Sequence, residues 1–129
     1  GCGHAMKALN NYVSAAGLIA SFEALAVARD FGIAPERFLE VINSSTGRNN
    51  TTESKIERYV LSESFDSGFA LKLMAKDVAI ASSISAASGV DGPVTDAVRQ
   101  FLKMGLDSLG DDADHTELYL KVANDQIGC

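Results

Sequence analysis

Lys7 and Asn11 stand four residues apart in a largely apolar stretch, and the pair Lys76-Asp77 interrupts a second one. Positions four apart on a helix share a face, so the Asn11 amide would lie beside the Lys7 ammonium. A lysine near the start of a helix opposes the helix dipole, which favours anions there. Apolar surroundings also disfavour an ammonium ion. Both effects point to an amine that releases its proton readily, as a general acid/base must. Asn10 adjoins Asn11 and offers a further amide. Lys76-Asp77 is flanked by Met74, Ala75, Val78 and Ala79. By pattern alone it is either the charged stripe of an amphipathic helix or a cation lining a pocket opposite Lys7.

Other polar groups carry less. Gly1-x-Gly3 begins like a dinucleotide fingerprint, but Met6 stands at the third glycine position and no strand precedes it. Ser44-Ser45-Thr46-Gly47-Arg48 is a polar loop that either caps a helix or hydrogen-bonds an anionic ligand. His115 lies among Asp111, Asp112, Asp114 and Glu117 without a ligand spacing, and capping accounts for Asp114 and Glu117, so no metal is expected. Two Asn-x-Thr triplets at 49–52 read as chance in a chain without a secretory signal. Cys2 and Cys129, at the two ends, form neither a disulfide framework nor a metal spacing.

The elements that must position these groups read as helices. Strand alternation and hairpin signals are missing. A first helix is expected from Ala5 to Phe31, apolar on nearly all sides, with Gly32 as its left-handed cap. A second runs from Pro35 to Asn43. A third starts near Asn50, with Asn50-x-x-Glu53 as a capping box, and ends before the loop from Ser62 to Gly68. A fourth covers Phe69 to Ala87, and a fifth Pro93 to Leu109. A last helix starts around Asp114 to Thr116, behind a second capping box, Asp114-x-x-Glu117. The 129 residues suit one domain, and 47% apolar with 22% charged residues excludes disorder. A net charge of −6 speaks against a nucleic-acid partner. The longest uncharged stretch, Ala8 to Phe22, is short of a membrane span and holds four polar residues, so no membrane partner is expected. Together with the sparse cysteines, this gives a cytoplasmic expectation.

Three stretches, in order, resemble one family. Gly1-x-Gly3-x-x-x-Lys7-x-x-x-Asn11 is similar to the catalytic motif of the β-hydroxyacid dehydrogenases. These are relatives of 3-hydroxyisobutyrate dehydrogenase and tartronate semialdehyde reductase and, more distantly, of 6-phosphogluconate dehydrogenase. Phe69-Ala70-Leu71-x-Leu73-Met74-Ala75-Lys76-Asp77 resembles the family's second lysine motif, and Asn43 to Arg48 resembles the stretch between them. One departure is Ser83, where the family often has an acidic residue.

The resemblance implies an all-α domain of about six helices around one long helix, like the C-terminal domain of 6-phosphogluconate dehydrogenase. Residues 1–129 would then be a single C-terminal domain for substrate binding and dimerisation, with the N-terminal Rossmann domain absent from this chain. It implies hydride transfer between NAD or NADP and a small β-hydroxyacid, with the cofactor held mainly by that other domain. Lys7 would be the general acid/base, and Asn11 and Asn10 would bind substrate. Lys76 and Phe69 would meet the cofactor, with Asp77 anchoring Lys76 or the interdomain hinge. The fragment alone would be inactive, and the parent protein a homo-oligomer. The competing reading is a non-catalytic helical dimerisation or interaction module, against which the presence of Lys7 argues.

Overall fold

The computed structural model describes residues 2–127. Six helices account for most of them: α1 (Cys2–Asp30), α2 (Pro35–Asn43), α3 (Thr51–Leu61), α4 (Leu71–Ala87), α5 (Pro93–Leu109) and α6 (Leu118–Ile127). A 3₁₀ turn, His115–Glu117, leads into α6. No strand occurs among the described residues; an isolated antiparallel bridge joins Ala70 to Asp114.

The long first helix is the axis of the fold. It packs against each of the other five helices. Ala15, Leu18, Phe22 and Leu25 repeat every three or four residues and are fully buried. They meet Ile56 of α3, Leu71, Met74 and Val78 of α4, Leu102 of α5 and Leu118 of α6. The Phe22 ring packs edge-on against Tyr119, 5.6 Å between centroids. By length and composition α1 is also apolar enough to cross a membrane, which its uncharged run from Ala8 to Phe22 is too short to suggest; 44% of its most apolar 18 residues is buried within the fold.

Helix ends follow local chemistry. α1 stops at Asp30 because Gly32 takes φ +84°. The amides of Gly32 and Ile33 then return to the carbonyls of Arg29 and Ala28, closing the last turn. α5 spans Pro93–Leu109, as the proline and glycine signals require. The box at Asp114 and Glu117 forms with both its hydrogen bonds. Ser44 and Ser45 donate to the carbonyls of Glu40 and Val41, so the polar loop after α2 caps that helix.

Three expected starts are corrected: α1 begins at Cys2 rather than Ala5, and two others follow. The box at Asn50 and Glu53 does not form; Asn50 is already helical and its side chain caps nothing. The capping residue is Asn49. Its Oδ1 accepts from the amides of Thr51 and Thr52, and Thr52 Oγ1 accepts from the Asn49 amide. Asn49 prevails because its Nδ2 also donates to Ser21 of α1, 2.9 Å away. α4 begins at Leu71 rather than Phe69. Phe69 and Ala70 are extended because the His115 amide donates to the Phe69 carbonyl and the Leu71 amide to that of Ala113. α3 itself is a wide π-helix along its 11 residues, an uncommon winding with bonds running five residues back.

α5 meets the start of α6 at Gly105, which is buried. A Cβ there would stand 2.5 Å from Leu118 Cδ2. Leu118 is itself fully buried and has little room to yield. Gly105→Ala is expected to destabilise the fold by about 1–3 kcal/mol. A urea midpoint unchanged by the substitution would contradict this packing.

Candidate active site

Asp77 faces α1 from the middle of α4 and is buried. Asn11 Nδ2 donates to its Oδ2 at 2.6 Å, and Lys7 Nζ lies 3.5 Å from its Oδ1. One carboxylate thus ties together two helical motifs almost seventy residues apart. Lys7 and Asn11 do share a face, as their spacing requires. The apolar burial expected around Lys7 is not met: its side chain is 68% exposed.

The remaining expected site residues are placed as follows. Asn10 is exposed and donates to Asn11 Oδ1 at 3.3 Å. Lys76 is exposed. One residue from Asp77, it projects about 100° away around the helix, so Asp77 rather than Lys76 stands opposite Lys7. Phe69 is half-buried and its ring meets that of His115 edge-on at 5.3 Å.

Beside Asn11 opens a cleft of about 360 Å³, bordered by Ser14, Lys55, Tyr59, Phe69 and His115. Lys55 and Tyr59 lie one wide turn apart on α3. Ser67 and His115, which border the cleft, belong to a clamp built on Asp114, which closes the loop before α4 onto the start of α6. Asp114 accepts from Ser67 Oγ, the Gly68 amide and the Thr116 amide, and from the Thr116 hydroxyl. Burial works against its charge, but the bonds from Thr116 and Ser67 and the nearby His115 outweigh it and hold the carboxyl below its usual range. The His115 imidazole is almost fully buried, with Nδ1 3.0 Å from the Phe69 carbonyl. Burial and the Lys55 charge push it down to about 4. At neutral pH it is therefore uncharged. Nδ1–H donates to Phe69 and Nε2 has no protein partner among the described residues. Neither Lys55 nor Tyr59 was legible from spacing, because both sit in a charge-rich segment that reads as solvated surface. Ser14, seven residues beyond Lys7, was legible as the next position on that face but carried no motif.

Comparison with known proteins matches residues 1–122 to the family described as the NAD-binding region of NADP-dependent 3-hydroxyisobutyrate dehydrogenase. This chain belongs to the 3-hydroxyisobutyrate dehydrogenase family. It is 32% identical over 81% of its length to a 2-(hydroxymethyl)glutarate dehydrogenase of Eubacterium barkeri, and spans 35% of that protein. It is 31% identical over 80% of its length to a probable mitochondrial 3-hydroxyisobutyrate dehydrogenase of Arabidopsis thaliana, spanning 31% of it. The chain therefore spans about a third of the curated relatives it matches. The fold is that of a Mycobacterium tuberculosis 3-hydroxyisobutyrate dehydrogenase solved with L-serine, at a TM-score of 0.83 and 24% identity, over 92% of this chain and 42% of that one. Family members are NAD(P)-dependent oxidoreductases. Phe69 presents a ring at the cleft, and Lys76, seven residues on, is exposed outside its lining. No Gly-rich turn between strand and helix occurs among the described residues to cradle a diphosphate.

His115 makes the fold acid-sensitive. Its folded-state value lies below the unfolded 6.5, so the unfolded chain binds the extra proton between about pH 6.5 and about 4. Stability is full above that window and falls through it by about 3 kcal/mol. Urea midpoints across the window should show this decline, and His115→Gln should flatten it. An equal decline in the variant would show that other groups cause it.

Proposed function

We propose that this chain is the C-terminal helical domain of an NAD(P)-dependent β-hydroxyacid dehydrogenase, with Lys7 as its general acid/base. The convergence of Lys7, Asn11 and Asp77 carries the reading. Lys7 Nζ takes the proton from the substrate hydroxyl as the carbon bearing it loses hydride, and returns it in the reverse direction. The nicotinamide, when bound, supplies the hydride acceptor. Asp77 restrains Lys7 on the side away from solvent. Asn11 spends one N–H on Asp77 and keeps a second for the substrate carboxylate, with Asn10 beside it. Phe69 and Lys76 contribute to the cofactor side. Names of relatives, 3-hydroxyisobutyrate and 2-(hydroxymethyl)glutarate dehydrogenase, support a small β-hydroxyacid as substrate.

The missing desolvation of Lys7 supports a second domain that closes over it, as a Rossmann domain would. Met6, Val13, Ala20 and Val27, each seven residues apart on α1, are all exposed. This stripe supports burial against a partner surface, and we assign it to homo-oligomer contacts. The interaction-module reading accounts for the stripe but leaves the Lys7–Asp77–Asn11 cluster without a purpose.

In the full-length protein, Lys7→Ala should lower turnover at least 1,000-fold, about 4 kcal/mol of barrier, with cofactor affinity changed less than threefold. Residues 1–129 alone should show no dehydrogenase activity. Turnover unaffected by the substitution would refute the role of Lys7.

A further inference from the structure

Lys55 is half-buried at the cleft, yet none of the ion pairs among the described residues includes it. The acid whose charge reaches it, Asp114, already has its oxygens engaged by Ser67, Gly68 and Thr116. A partly desolvated cation with no carboxylate in direct contact is costly unless a ligand supplies one. Burial shows its effect in holding the Lys55 amine below its usual value, partly offset by Asp114. The wide winding of α3 sets Lys55 and Tyr59 together on the cleft wall. From Asn11 to Ser14 along the opposite wall is about 4.5 Å of helix rise, a span that a short carbon chain bridges.

We infer that the cleft selects hydroxyacids whose side chain ends in a second anionic group, and that Lys55 is the residue that meets that group. This rests on the reading in which Lys7 and Asn11 hold the reacting hydroxyl and first carboxylate. The substrate then enters with one carboxylate at Asn11 and its tail along Ser14 towards Lys55. Tyr59 and Ser14 offer hydroxyls to the tail carboxylate. Buried His115, neutral, adds no charge to compete for it.

The test uses the full-length protein and two 2-(hydroxymethyl) acids of equal length, one ending in a carboxylate and one in a methyl group. The native protein should favour the carboxylate-ended acid in kcat/KM. Lys55→Met should cut kcat/KM for that acid about 10- to 100-fold, mainly through KM. The methyl-ended acid should change less than threefold, and Lys55→Arg should restore most of the preference. Equal effects on both acids, or none, would overturn the inference while leaving the dehydrogenase reading intact. Glutarate binding, followed by calorimetry on the same proteins, separates the two claims. Absence of turnover on either acid, with glutarate binding lost in Lys55→Met, would sink the dehydrogenase reading and keep the anion site. Glutarate binding unchanged by Lys55→Met would overturn the anion site.

Discussion

The Asp77 carboxylate is the joint on which the site hangs. It is buried in the contact between α1 and α4, where an unpaired charge would be costly. Asn11 and Lys7 satisfy it, and it in turn fixes where their side chains stand. The arrangement requires α4 to meet α1 at one register. Leu71, Met74 and Val78, the buried face of α4, set that register against Leu18 and Phe22. A slip of one residue would carry Asp77 about 100° around its helix and leave Lys76 in its place.

A second polar structure supports the first from below. The Asp114 clamp holds the loop before α4 against the start of α6, and His115 takes the Phe69 carbonyl that helix formation would otherwise use. Phe69 is thereby kept out of α4 and displayed at the cleft. Charge is distributed unevenly across this surface. Asp77 and Asp114 are held by several neighbours, whereas Lys7 is mostly exposed and Lys55 is in no ion pair among those formed by the described residues. Two cations thus border the site although the chain as a whole is acidic.

Much of this was legible in residue order, and what was not has physical causes. The Pro93–Leu109 helix and the Asp114/Glu117 box depend on neighbours within one turn, which sequence displays. The cap of α3 depends on Ser21, 28 residues from Asn49, and sequence alone favoured the wrong asparagine. The π winding of α3 and the extended Phe69 are likewise decided by contacts distant in sequence. At the site, the i, i+4 spacing placed Lys7 beside Asn11. The meeting of Asp77 with both was not foreseen, because it depends on how two helices cross. Lys55 was missed because one charge among Glu53, Glu57 and Arg58 looks like its neighbours until the cleft is seen.

The central claim is that Asp77 and Asn11 act on Lys7 as one unit. The most direct measurement is a double-mutant cycle in the full-length protein, reading kcat/KM for a β-hydroxyacid in Asn11→Ala, Asp77→Ala and the pair. The account predicts strong coupling, about 1–3 kcal/mol, with the double variant little worse than the poorer single one. Losses that simply add would show that the two residues act independently and would contradict it.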